Sequence, residues 1–331
     1  MAAPSSPEAV SVSVSQEGTD KDVFLFPRDH AHKATFRLFQ RSTESLQGTL
    51  CISAGPKDGH YHQETNEDAG ALVSCPKGAM LLVVVDGHSG ATSSDTFIRV
   101  LQQTAAQGSD AGAVSPFPWD EAAQESLEGF RRATLSWLQA VYKEILKTKA
   151  GLPEQHRTAA AFSIALVTKQ RVFWAGMGDC MIIPFPSGDA VQDGAQSKAL
   201  THINPLTSKA FIGYTIPEDQ VASNLEANVN FGELPSVPPR LLLTRDGIPD
   251  YFPSQEEEGG GAEETAKVGA VRGSDTFFAA LESLKDAPQE GLLSSIFQRT
   301  INTGYGDNMC AAVVDATAQH AAPAAVPLVP K

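Results

Sequence analysis

Nothing in this 331-residue chain approaches the roughly 20 consecutive apolar residues that a membrane-spanning helix needs. Positive charge is scarce too. Lys and Arg number 25 against 39 Asp and Glu, a formal net charge of −14, which argues against a surface for nucleic acid or anionic lipid. The four cysteines, Cys51, Cys75, Cys180 and Cys310, lack the paired spacing of a zinc site or a disulfide framework, and read as free thiols of a reducing compartment. The N-terminal MAAPSSPEAV has neither the basic start nor the apolar core of a secretory signal, and residue 2 is not the glycine that myristoylation requires. The C-terminal end carries no prenylation box, and no internal repeat is visible. The expectation is a soluble, monomeric, cytoplasmic protein, with the nucleus as the alternative, that binds neither membrane nor nucleic acid.

What is abundant is apolar residues, 42% of the chain, enough for a sizeable core. Several of its apolar runs end on an acid. Leu81 to Val85 feed directly into Asp86-Gly87-His88. An isolated Asp-Gly is ordinarily a turn, and Asp58-Gly59-His60, which follows a polar stretch, is read that way. Asp86 is read differently because the pattern repeats. RVFWAGMGD ends at Asp179 and PRLLLTRDGIPD at Asp246, whereas Asp307 immediately precedes the strand-like Met309 to Val314. If this last strand runs antiparallel to Leu241 to Thr244, Asp307 and Asp246 reach the same sheet edge. Glu67 and Asp68 precede another short apolar segment. Converging carboxylates repel one another unless cations neutralise them, and a set of hard oxygen ligands favours Mg²⁺ or Mn²⁺ over zinc.

In order along the chain, NEDA, VVVDGHSG, RTAAAFSIAL, AGMGDC, LTHINP, LLLTRDGIPD and GDNMCAAVV resemble the landmarks of the metal-dependent serine/threonine protein phosphatases of the PP2C type. The resemblance spans Glu67 to Val314. It implies an α+β fold, a four-layer α-β-β-α sandwich of two antiparallel sheets flanked by helices, and phosphorylated proteins as substrates. It also implies two divalent ions, about 3.5 to 4 Å apart, that activate a shared water for in-line attack on phosphorus. By the same resemblance Asp86 bridges the ions, Glu67 and the Gly87 carbonyl complete one, and Asp246 and Asp307 complete the other. Asp179 with Asp246 resembles a pair that holds a third, weaker ion, and Asp68 is expected to orient water on a metal. His88 matches a histidine that protonates the departing seryl or threonyl oxygen, a task suited to imidazole.

Three positions bear on substrate binding. Where the family usually has a phosphate-gripping arginine, four residues before the glutamate, this chain has Gln63, a neutral donor in place of a cationic fork. His62, His60 and Lys57 are the nearby residues able to supply charge. Tyr214 stands where an acid usually follows a glycine. Arg245 adjoins Asp246, but strand alternation points it to the opposite face. The leading expectation is an active Mg²⁺- or Mn²⁺-dependent phosphatase. The alternatives are a pseudophosphatase that binds a partner and a two-metal hydrolase of a small phosphorylated molecule.

Spacing predicts a helix over Thr92 to Gln107, a long helix from about Asp120 to Lys147, and a β-hairpin over Ala159 to Pro186 that turns at Lys169-Gln170-Arg171. An irregular region follows to about Pro239. Two short helices are expected around Phe277 to Leu284 and Leu292 to Ile301. Residues 1–22 and the Ala/Pro-rich residues 317–331 read as tails around a phosphatase-like domain at 23–316. The acidic, glycine-rich 256–264 reads as a solvated loop.

Overall fold

The computed structural model describes residues 12–15, 36–55, 66–107, 118–150, 158–186, 200–207, 210–253, 274–303 and 307–316. Its strands are β1 (Val12–Ser15), β2 (Phe36–Ser42), β3 (Gln47–Ser53), β4 (Ala69–Ser74), β5 (Met80–His88), β6 (Ala159–Val167), β7 (Val172–Met177), β8 (Met181–Phe185), β9 (Asn230–Leu234), β10 (Arg240–Thr244) and β11 (Met309–Asp315). The α-helices are α1 (Thr92–Gln107), α2 (Glu121–Glu125), α3 (Leu127–Lys149), α4 (Val221–Asn228), α5 (Ser274–Ser283) and α6 (Gln289–Asn302).

One sheet runs β1-β2-β3-β11-β10-β8 and the other β4-β5-β6-β7-β9. Pairing is antiparallel except at β1, which lies parallel to β2. β1 falls within the segment expected to be a tail, so residues 12–15 extend the sheet edge instead. The period of two along β5 explains the layering. Leu82 and Val84 point between the sheets, against Leu50, Leu243 and Ala312. Leu81, Val83 and Val85 point outward onto Phe97, Leu101 and Leu138 of α1 and α3. On the far side α5 and α6 bring Phe277, Ile296 and Phe297 onto Leu38, Leu242 and Val313. Each such side chain, fully buried, stabilises the fold by about 1.5 to 3 kcal/mol relative to exposure. The result is the expected α+β sandwich in four layers.

Three elements differ from the sequence reading. The long helix breaks at Ser126, which is extended (φ −154°, ψ 154°) and accepts a hydrogen bond from the Gly129 N–H at 3.0 Å. An apolar stripe runs on past the break, so periodicity alone did not reveal the cap. The second arm of the hairpin does not continue to Pro186. It leaves its sheet at Gly178-Asp179, and β8 crosses to the other sheet to pair with β10. Gly178 (φ +94°) makes this corner, and a Cβ there would lie 2.4 Å from the Ala161 Cβ. The region read as irregular contains α4 and β9, whose half-buried residues show no alternation. Residues 256–264 and 317–331 lie outside the described residues.

Candidate metal and phosphate-ester site

Five of the acids picked out from the sequence meet along one rim of the sandwich. Asp68 precedes β4, Asp86 sits near the end of β5, Asp179 occupies the corner between β7 and β8, Asp246 follows β10, and Asp307 precedes β11. The antiparallel pairing of β10 with β11 brings Asp246 and Asp307 together as expected: one Arg245 nitrogen lies 3.1 Å from a carboxylate oxygen of each.

Asp86 and His88 share a strand face because they are two residues apart. The His88 Nε2 lies 3.3 Å from Asp86 Oδ2. Phe211 meets the imidazole edge-on at 4.2 Å between centroids and fixes its plane. Asp179 completes a cluster in which ligand atoms of Asp86, His88 and Asp179 all lie within 4.8 Å of one another. Its corner is braced from the LTHINP segment. There Asn204 donates to the Cys180 carbonyl at 2.7 Å and accepts from the Ile182 N–H at 2.8 Å, and the Thr207 N–H donates to the Gly178 carbonyl at 2.8 Å.

Glu67 is buried, and its backbone is clamped on both sides. Its N–H donates to Asn308 Oδ1 at 2.6 Å, and its carbonyl accepts from the Ser94 hydroxyl at 2.5 Å. That carbonyl fills the place a side chain would take at Gly87, 2.3 Å from an ideal Cβ, so glycine here permits close backbone packing. Asn308 was not singled out from the sequence. Its position beside Asp307 was the available signal, and it ties Glu67, Ala54 and the Arg245 contact together.

Arg245 is a correction. Strand alternation placed it on the face opposite Asp246, but β10 ends at Thr244 and the residues that follow form a turn, where the period of two no longer holds. The guanidinium is buried among the acids. Its Nε lies 3.4 Å from Asp68, its Nη2 is 2.7 Å from Asp86 Oδ1, and its Nη1 donates to the Asn308 carbonyl. Gln63, His62, His60 and Lys57 lie outside the described residues. Tyr214 is largely exposed and stacks edge-on with Phe211 at 5.6 Å.

The electrostatics follow from burial. Burial raises the Asp68 carboxyl well above its ordinary value, opposed by Arg245 and reinforced by Asp86, Asp307 and Asp246. Asp86 is pushed up to about 6, first by burial, with Arg245 pulling down and Asp246 pushing up. Asp179 also rises to about 6 through burial and the nearby Asp246 and Asp86 charges. Arg245 loses solvation, yet its four acidic neighbours hold it firmly charged. Among the described residues, both carboxylate oxygens of Asp68 and of Asp86, and one oxygen each of Asp179 and Asp246, are buried without a hydrogen bond; Arg245 faces one oxygen each of Asp68, Asp86 and Asp246, and His88 the second oxygen of Asp86. Such atoms are costly unless a cation meets them, and the all-oxygen carboxylate set fits a hard divalent ion.

The family model described as Protein phosphatase 2C matches residues 58–257. This chain belongs to the protein phosphatase 2C family. Solved structures agree on the fold. The S. agalactiae serine/threonine phosphatase is similar at 12% identity with a TM-score of 0.53, covering 82% of this chain and 99% of that one. Stp1 of Staphylococcus aureus matches at 15% identity and TM-score 0.51, covering 83% and 95%. PppA of Pseudomonas aeruginosa, described as a key regulatory component of T6SS, matches at 15% identity and 0.51, covering 83% and 99%. No curated protein sequence matches the chain. As a protein phosphatase 2C, the chain belongs to a metal-dependent, Mg²⁺- or Mn²⁺-using family, and its converging carboxylates suit that chemistry. Among the described residues, no helix is long and apolar enough to cross a membrane.

Proposed function

We propose that this chain hydrolyses phosphoserine and phosphothreonine esters of proteins with a divalent ion, Mg²⁺ or Mn²⁺, held by Asp86 and Asp179. The observation that carries this reading is the convergence of Asp86, Asp179 and His88 within 4.8 Å at a rim of buried carboxylates. Bound there, the ion would supply Lewis-acid activation of water and of a phosphoryl oxygen. The imidazole of His88 lies 3.3 Å from Asp86 at that position, and Phe211 packs edge-on against the ring. The His88 side chain is 35% exposed, so it can give its proton to the departing seryl or threonyl oxygen. Asn204 and Thr207 hold the Asp179 corner in place. Release of phosphate from phosphopeptides by purified protein with Mn²⁺ or Mg²⁺, abolished by chelator, tests the proposal.

A second reading has its own support. Arg245 already places a cation among the acids, and Gln63 replaces the family's arginine. Both favour a protein that keeps the fold and binds a partner without turnover. No phosphate released from phosphopeptides at any metal concentration by correctly folded protein would select it.

A further inference from the structure

Arg245 makes an arrangement that an ordinary salt bridge does not need. A single terminal nitrogen, Nη2, lies within 2.7 to 3.1 Å of oxygens from Asp86, Asp246 and Asp307, but it carries only two protons. At most two of those three oxygens can be served by its hydrogens. The remaining attraction is that of a positive centre surrounded by anionic oxygens, as in a metal site. A fourth carboxylate, Asp68, approaches through Nε at 3.4 Å. The side chain is 3% exposed, and the Asn308 carbonyl fixes its Nη1, so the group is built into the site.

Asp86 divides its two oxygens. Oδ1 faces the guanidinium at 2.7 Å and Oδ2 faces His88 at 3.3 Å, and an Asp86 oxygen lies within 4.8 Å of ligand atoms of His88 and Asp179. A divalent ion of magnesium's size binds oxygen at about 2.0 to 2.1 Å. An ion taking the oxygens of Asp68, Asp246 and Asp307 that now face Arg245 would have to lie against the guanidinium, at full charge repulsion. The Asp179 side carries no such conflict.

We infer that the Arg245 guanidinium takes the place of one of two divalent ions, so that Asp86 bridges a fixed organic cation and a single metal ion at Asp179. The inference rests on the metal-dependent reading above and deepens it. Of the two ions that the resemblance implies, the one assigned to Asp246 and Asp307 does not fit this chain's residues: that side is filled by the guanidinium, and the side of Asp86 and Asp179 is left for an ion.

The test counts ions. Equilibrium dialysis of purified protein against saturating Mn²⁺, with manganese and protein measured in the same sample, should give one ion per chain for the wild type. Arg245→Ser should bind one more ion than the wild type, and Arg245→Lys, which keeps the charge, should bind no more. Circular dichroism checks the fold of each variant. If Arg245→Ser does not fold, electron paramagnetic resonance of the wild type with excess Mn²⁺ decides, since an isolated ion and an exchange-coupled pair give different spectra. Two ions on the wild type, a coupled-pair spectrum, or equal counts on wild type and Arg245→Ser would overturn the inference. No ion on the wild type would overturn both the inference and metal-dependent hydrolysis. One ion without phosphate release would leave the inference standing while sinking the phosphatase reading.

Discussion

Asp86→Asn separates what the site costs the fold from what it contributes to chemistry. Asp86 is fully buried, and its carboxyl moves from the ordinary 3.8 up to about 6, chiefly because burial penalises the charged form. An acid whose folded value lies above its unfolded one binds its proton more tightly in the native state. Its ionisation therefore destabilises the metal-free fold, with the loss developing as pH rises from about 4 to about 6 and then levelling off. The difference between 3.8 and about 6 corresponds to roughly 3 kcal/mol above pH 6. Asparagine is similar in shape and carries no charge, and Arg245 keeps Asp68, Asp246 and Asp307 as partners. In chelator at pH 7, urea unfolding of Asp86→Asn should give a stability equal to or above wild type by up to about 3 kcal/mol, with the advantage shrinking towards pH 4. Phosphopeptide hydrolysis with Mn²⁺ should fall by at least about a hundredfold, since even outer partners of metal ligands are worth about 10- to 100-fold. A variant clearly less stable than wild type at pH 7, or one whose stability difference ignores pH, would refute the electrostatic reasoning. Retained hydrolysis would refute the role of Asp86 in the site.

His88→Ala should slow phosphoserine peptides far more than aryl phosphates, whose departing phenolate needs little protonation; equal losses would remove His88 from proton donation. Gln63→Arg should lower KM for a phosphopeptide several-fold, on the scale that separates a charge-assisted hydrogen bond from a neutral one, and steady-state kinetics showing an unchanged or higher KM would mean that a neighbouring cation already grips the phosphate. The four cysteines are buried, and burial pushes Cys75 up to about 12. A thiol reagent at neutral pH should therefore label none of them until denaturant is added, and rapid labelling of the native protein would contradict the packing.

Much of this architecture was legible because burial imposes a simple period. Leu81 to Val85 had to be a buried strand, and α1 appears where Phe97, Val100 and Leu101 kept helical spacing. The acids at strand ends were legible for a related reason, since a carboxylate closing an apolar run demands an explanation that a turn elsewhere does not. The misses share a cause as well. Ser126 breaks a helix through one hydroxyl cap, and Gly178 sends a strand to another sheet through one positive φ, neither of which disturbs hydropathy. Arg245 was misplaced because alternation was carried one residue past the end of β10. Apart from the adjacent Asp246, its acidic neighbours come from three other elements of the rim and cannot be read from local sequence. Asn204 and Asn308 act through their amides at long range, which spacing does not encode.

The central claim is tested most directly by the initial rate of phosphate release from a phosphoserine peptide, measured against free Mn²⁺ from excess chelator to saturation. The account predicts no release in chelator and a rise along a simple hyperbola, as binding of a single activating ion requires. A rate that is the same in chelator, or the absence of release at every Mn²⁺ concentration, would contradict it.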